Sequence, residues 1–335
     1  MKRRRAAVFA GRDVLKGLAI LWVALFHAQL GFSGVGRWVQ QVGYGGVDML
    51  VFLSGMGLYA SLERSPSLGG YMRRRAARLL PAYLPFCALW LAVMIPALGM
   101  GPLAAVQTAA GNMLMLGYLG GVPQMISWYV SLLAMTVLLA PFVHAALHAA
   151  RKPAAAGLTM AALAFTLGLC WVGDERYMAI SRLPVFVLGM TLGDERVGRR
   201  MSGAAVTGLS LAALAVGAGA LWAAFSFFPS LLASHALYWH PFALIAPAMC
   251  LLLGIAFDKG RGQGPLSRAL AFLGRASLEI FLFNVWMELA VKRFKLAQNP
   301  WHWALWTLGS VVAGCLYHAL TVRCTRACRQ RRNAA

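Results

Sequence analysis

The chain has 335 residues, of which 60% are hydrophobic and only 12% are charged, and its mean hydropathy is +0.67. That apolar excess excludes a soluble globular domain, and several stretches exceed the roughly 20 residues that cross a bilayer. The net charge of +21 does not indicate nucleic acid, because the basic residues sit in short clusters between apolar runs, as positive-inside loops do.

The opening "MKRRR" followed by an apolar run imitates a signal peptide. The run is too long for a signal h-region and more spans follow, so a retained first helix is predicted. In chain order, ten spans are predicted at 14–32, 45–62, 79–98, 128–147, 156–173, 180–194, 203–224, 239–256, 269–289 and 301–321. The expected fold is an all-α polytopic membrane bundle in the inner (plasma) membrane, with both termini cytosolic. Inner segments then fall at 1–16, 63–78, 148–155, 195–202, 257–268 and from 322 onward. Together with Arg275 at its helix start, they hold 25 of the 31 Lys and Arg residues. The six outside are Arg37, Arg176, Arg182, Lys292, Arg293 and Lys295. That asymmetry sets the orientation. Residues 99–127 are apolar enough to suggest another helix, but a further crossing would invert every later loop. An outer, partly re-entrant segment is expected there, covered by protein or water.

Neither repeats nor a long hydrophilic region interrupts the pattern, so residues 1–335 are read as one integral membrane domain without a fused soluble one. Cys87, Cys170, Cys250 and Cys315 lie in apolar stretches, and Cys324 and Cys328 in a basic tail assigned to the reducing cytosol. Their spacing offers no metal-ligand framework, and no metal site is expected.

The first span, "LKGLAILWVALFHAQLGF", carries Lys16 and, eleven positions later, His27. Eleven residues are close to three turns, so both side chains share a helix face, separated by about 16 Å along the axis. Asp48 and Glu279 lie inside spans, where an unpaired charge costs roughly 2.5–3.5 kcal/mol or more. Antiparallel first and second spans would bring Asp48 and His27 to a similar depth. A carboxylate beside the imidazole would fix its tautomer, as a general base needs; equally, the pair would only lock two helices together. In "YMRRRAARLLPAY", Arg75 and Arg78 are spaced to share a face and grip phosphate oxygens in bidentate fashion. The plainer reading of that cluster is a topology signal.

At this point the chain resembles the acyltransferase-3 family of integral membrane acyltransferases, which O-acylate cell-surface polysaccharides and related acceptors. "RDVLKGLAILWVALFH" is similar to its opening signature, a basic residue and a His with ten residues between. "GVDMLVFLSG", with Asp48 and Ser54, resembles the second-helix motif, and "RRRAARLLPAY" resembles the basic loop with Arg75 and Arg78. "SWYVSLLAMTVLLAP", "SRLPVFVLGMTLG" and "LGRASLEIFLFN" resemble later blocks in the same order, so the resemblance spans residues 12–290. There are departures. Asn284 stands where the family often has His, no Glu follows "WYVS", and Lys16 replaces the commoner Arg.

The resemblance implies an acyl-CoA co-substrate, most often acetyl-CoA, no bound cofactor, and a carbohydrate or glycolipid acceptor at the outer face. Lys16, Arg75 and Arg78 would hold the CoA phosphates. His27, oriented by Asp48, would deprotonate the acceptor or first take the acyl group itself. Trp128 and Tyr129 are candidates for an acceptor-stacking wall or for interfacial anchors. Arg182 would orient the acceptor or anchor a helix end, and Glu279 is a further acceptor-side candidate. Envelope polysaccharide assembly proteins are the partners expected beyond the bilayer. The competing classes are a transporter or flippase for a polar lipid-linked envelope precursor, and a non-catalytic membrane scaffold.

Overall fold

The first apolar stretch forms a helix, Arg12–His27 (α1), that stops five residues earlier than predicted. In this computed structural model the described residues are 11–65, 67–171, 176–194, 196, 202–228, 238–259 and 264–334. The basic N-terminal run, most of the inner loop expected at 195–202 and part of that at 257–268 lie outside them. Two things end α1. Gly31 adopts φ +68°, which a side chain would disfavour. The Gln40 amide donates to the carbonyl oxygens of Leu25 (3.2 Å) and Ala28, satisfying acceptors that the helix end leaves open. His27 is therefore the last residue of α1 rather than an interior one.

The elements that follow are Gly34–Gln41 (α2), Gly45–Glu63 (α3), Leu68–Ala97 (α4), Pro102–Met113 (α5), Trp128–Trp171 (α6), Tyr177–Ile180 (α7), Leu183–Gly193 (α8), Gly203–Phe227 (α9), Phe242–Lys259 (α10), Pro265–Arg275 (α11), Ser277–Phe294 (α12) and Pro300–Ala334 (α13). There is no strand among the described residues. Six stretches are long and apolar enough to cross a membrane, seven if α11 and α12 count as one bent span. With the shorter apolar stretches Tyr177–Gly193 and Phe242–Phe257, and the 16-residue α1, they account for the apolar stretches read from the sequence. The protein is a polytopic helical membrane bundle.

Two further details differ from expectation. The loop predicted at 148–155 is helical: Trp128–Ala150 and Pro153–Trp171 meet at Pro153 within α6, a residue that bends a helix without requiring a loop. The span predicted at 269–289 is broken, with α11 and α12 meeting at a 70° bend.

The chain divides into two compact units, each drawn from separate stretches of sequence, one comprising Met1–Ala19, Gly45–Tyr71 and Leu132–Gly274, the other Ile20–Tyr44, Met72–Ser131 and Arg275–Ala335. In the first unit α3 is enclosed, packing on α8 and α10, and α9 packs on α10. Small residues set the spacing between α3 and α8: a Cβ on Gly189 would lie 2.3 Å from the Phe52 carbonyl oxygen, and one on Gly55 would lie 2.6 Å from that of Phe186. Lacking side chains there, the two backbones close on each other, which is how helices associate where lipid supplies no hydrophobic drive.

In the second unit α12 packs on α13. Tyr83 Oη donates to the Asn112 carbonyl oxygen at 2.7 Å, and Tyr317 Oη to that of Ala82 at 2.9 Å. Residues 99–127 contain only the 12-residue α5, too short to cross a bilayer. Buried Asn112 organises this segment, donating to the Thr108 and Gln124 carbonyls at 2.8 Å each and accepting from the Ile126 amide at 2.9 Å. Irregular backbone at this position is thus satisfied by protein, as its environment requires.

Candidate active site

His27 closes α1, and its side chain is 18% exposed. Glu288, two turns before the end of α12, places its carboxylate Oε2 against His27 Nδ1, while Oε1 meets Lys292 Nζ at 2.5 Å. The Phe26 ring packs edge-on against the imidazole at 5.1 Å and against Tyr44 at 5.6 Å, which restricts how the loop after α1 can move. A carboxylate beside Nδ1 of an imidazole favours the tautomer with its proton there, which leaves the Nε2 lone pair to act as a base. It also compensates the positive charge the ring carries once Nε2 takes a proton. His27 and Glu288 together can therefore serve as a base and its orienting partner.

The expectation that Asp48 orients His27 finds no counterpart in the contacts each residue makes within its own unit. The carboxylate against His27 comes from α12, and Asp48 lies 3.6 Å from the Arg182 guanidinium. Asp48 opens α3 and Arg182 immediately precedes α8; the close approach of those helices brings the two charges together. Arg182 is 0% exposed. It donates to the Met178 carbonyl at 2.6 Å and to Ser181 Oγ at 2.9 Å, and lies over the Trp239 ring at 4.1 Å. These contacts surround its guanidinium within the protein.

Lys16 is half-buried, one turn into α1 and about 16 Å along the axis from His27 by helical rise. Arg75, half-buried, and Arg78, exposed, sit one turn apart on α4, a spacing that puts both on one face.

The remaining candidates are dispersed. Trp128 is half-buried at the start of α6, and its ring meets that of Tyr129 edge-on at 6.3 Å. Tyr129 is buried, with its ring 4.5 Å from Phe281, so its faces are taken up by packing. Glu279 is 5% exposed and accepts a 2.9 Å contact from His318 Nδ1.

Beside the end of α1 a cleft of about 550 Å³ is lined by Phe26, by residues 28–32 and by Arg37, Gln40 and Gln41, with the amide of Gln29 among the polar groups; His27 adjoins this lining in the chain without being part of it. Amides and a guanidinium of this kind suit a hydroxyl-rich ligand. Trp22 Nε1 holds α2 against α1 through a 2.8 Å bond to the Val39 carbonyl.

Sequence reasoning missed Glu288, His318 and the cleft. Glu288 carried a signal, since the chain has only ten acidic residues and this one falls at the outer edge of a predicted span. His318 carried none beyond being a histidine in an apolar run.

The fold is that of a polytopic membrane protein, and one of its histidines is held by a carboxylate next in the chain to residues that line a cleft of mixed polar and apolar character. A family model described as "Acyltransferase domain" matches residues 9–320, nearly the whole chain. The chain belongs to the acyltransferase-3 family and is a membrane acyltransferase. No curated protein and no solved structure matches it significantly.

Proposed function

We propose that the protein moves an acyl group, most simply acetyl, from cytosolic acyl-CoA to a hydroxyl of a cell-envelope carbohydrate or glycolipid, in the inner membrane. The observation that carries this reading is the His27–Glu288 contact at the end of a helix that also bears Lys16. The basic residue and the imidazole lie about 16 Å apart on one helix by its rise, a spacing suited to a thin pantetheine arm. Lys16, Arg75 and Arg78 bind the CoA phosphates, with the arginines contributing the bidentate geometry that an ammonium lacks.

His27 acts through Nε2. Either it takes the proton of the acceptor hydroxyl as that oxygen attacks the thioester carbonyl, or it attacks the thioester itself and passes the acyl group on. In both routes the CoA thiolate leaves and Glu288 stabilises the charged ring. The cleft bearing Gln29, Arg37, Gln40 and Gln41 receives the acceptor, with Trp128 as a further acceptor contact. The packing of Tyr129, the Arg182 pair with Asp48, and the Glu279 pair with His318 support structural roles for those residues.

Purified protein in vesicles, given radiolabelled acetyl-CoA and envelope glycans, tests the reading. Label appearing on the glycan supports it. Hydrolysis of the donor without any labelled glycan would overturn the choice of acceptor, and failure to bind acyl-CoA would overturn the choice of donor.

A further inference from the structure

In the first unit α3 ends in Glu63, and the side chain of that residue faces two histidines one helical turn apart on α6. His144 Nε2 lies 2.8 Å and His148 Nε2 2.6 Å from the same carboxylate oxygen, Glu63 Oε1. The three ligand-type atoms all fall within 4.8 Å of one another. Histidines at i and i+4 share a helix face, so both Nε2 atoms converge without distortion of α6. The side chains are 20% (His144), 40% (His148) and 43% (Glu63) exposed, enough for an ion to enter from water.

Two neighbours make this more than a hydrogen-bonded staple. The Tyr59 ring packs 4.9 Å from His144 and 6.3 Å from His148, the second stacked at 14°, so both imidazoles are held in orientation. Arg196 Nη2 approaches His148 Nε2 at 3.2 Å as well as Tyr59 Oη at 3.1 Å. His148 Nε2 thus faces a carboxylate, which wants a proton donated, and a guanidinium, which wants a lone pair. A single nitrogen cannot satisfy both. Arg196 is itself countered by Asp194, 2.9 Å away, so its charge is partly offset at the cluster.

We propose that Glu63, His144 and His148 form a binding site for a divalent transition-metal ion of the zinc type, with water as the fourth ligand. Two imidazoles and a carboxylate are a common zinc donor set, with Zn–N about 2.0–2.1 Å and Zn–O about 2.0–2.2 Å. Tetrahedral ligands at those lengths stand roughly 3.3 Å from each other, so the 2.8 Å and 2.6 Å Nε2–Oε1 distances need open by about 0.5 Å at His144 and about 0.7 Å at His148, within side-chain reach. The ion takes the lone pairs of both Nε2 atoms and so removes the conflict at His148, whose contact with Arg196 it displaces. It ties the end of α3 to α6. The site is independent of the acyl-transfer chemistry and contains none of the residues assigned to it.

The test is zinc binding by tag-free, chelator-treated protein in detergent, measured by calorimetry and by metal analysis after desalting. The expected result is one equivalent of zinc at micromolar or tighter affinity. His144→Ala and His148→Ala should each weaken it about tenfold or more, while His27→Ala and His318→Ala leave it unchanged. Absence of stoichiometric zinc, or affinity that survives the His144→Ala/His148→Ala double variant, would overturn the site. Should those variants fold poorly, cobalt replacement in the wild-type protein decides the matter. A strong visible band of tetrahedral Co²⁺ supports the site, and only the weak spectrum of six-coordinate, solvent-like Co²⁺ overturns it.

Discussion

The Glu288 carboxylate lies against Nδ1 of His27, joining the last residue of α1 to the second half of α12. If His27 is the base, His27→Ala should abolish acyl transfer in a protein that still inserts and binds acyl-CoA. Glu288→Gln should lower kcat by about 10²-fold or more, within the range that loss of general-base function produces, with little change in KM for the donor. Steady-state kinetics on purified protein check both. Near-normal turnover in His27→Ala would return the histidine to a packing role.

The Asp48–Arg182 pair leads to a different expectation, read in stability. Both side chains are almost fully buried, and removing one partner of such a pair costs about 3–5 kcal/mol because a charge is stranded. Asp48→Asn and Arg182→Gln should each lower the Tm substantially, and the double replacement Asp48→Leu/Arg182→Leu should recover part of the loss. Thermal unfolding in detergent measures this. An Asp48→Asn variant with wild-type Tm and no turnover would restore a direct role for that carboxylate in the reaction.

Arg75 and Arg78 should act on donor affinity. A hydrogen bond to a charged group contributes roughly 1.5–3 kcal/mol, so Arg75→Ala/Arg78→Ala should raise KM for acyl-CoA about tenfold or more with a Tm near wild type. An unchanged KM would leave the pair as a topology signal.

Cys324 and Cys328 are exposed near the end of α13, in the segment that the basic-residue asymmetry assigns to the cytosol. A membrane-impermeant maleimide should spare them in intact cells and modify them in inside-out vesicles. Modification in intact cells would contradict the assigned orientation.

The sequence by itself determined the class of fold and the apolar stretches that build it, because hydropathy and the distribution of Lys and Arg are properties of composition along the chain, decided before any packing. It also marked Lys16 and His27 as a same-face pair, since their spacing follows from helix geometry alone. The partners of the buried charges were not legible. Depth alone suggested Asp48 as the partner of His27, whereas the carboxylate found against His27 is Glu288 from α12, and the close approach of α3 and α8 brings Asp48 to Arg182. Likewise, α1 looked apolar enough to run to residue 32, yet it stops at His27 because Gln40, on a separate helix, caps its last carbonyls. Glu63 lies some eighty residues before His144 and His148 in the chain and meets them only because the end of α3 comes against the middle of α6. Hydropathy ranks each residue against solvent, and pairing depends on which backbones come close enough to touch.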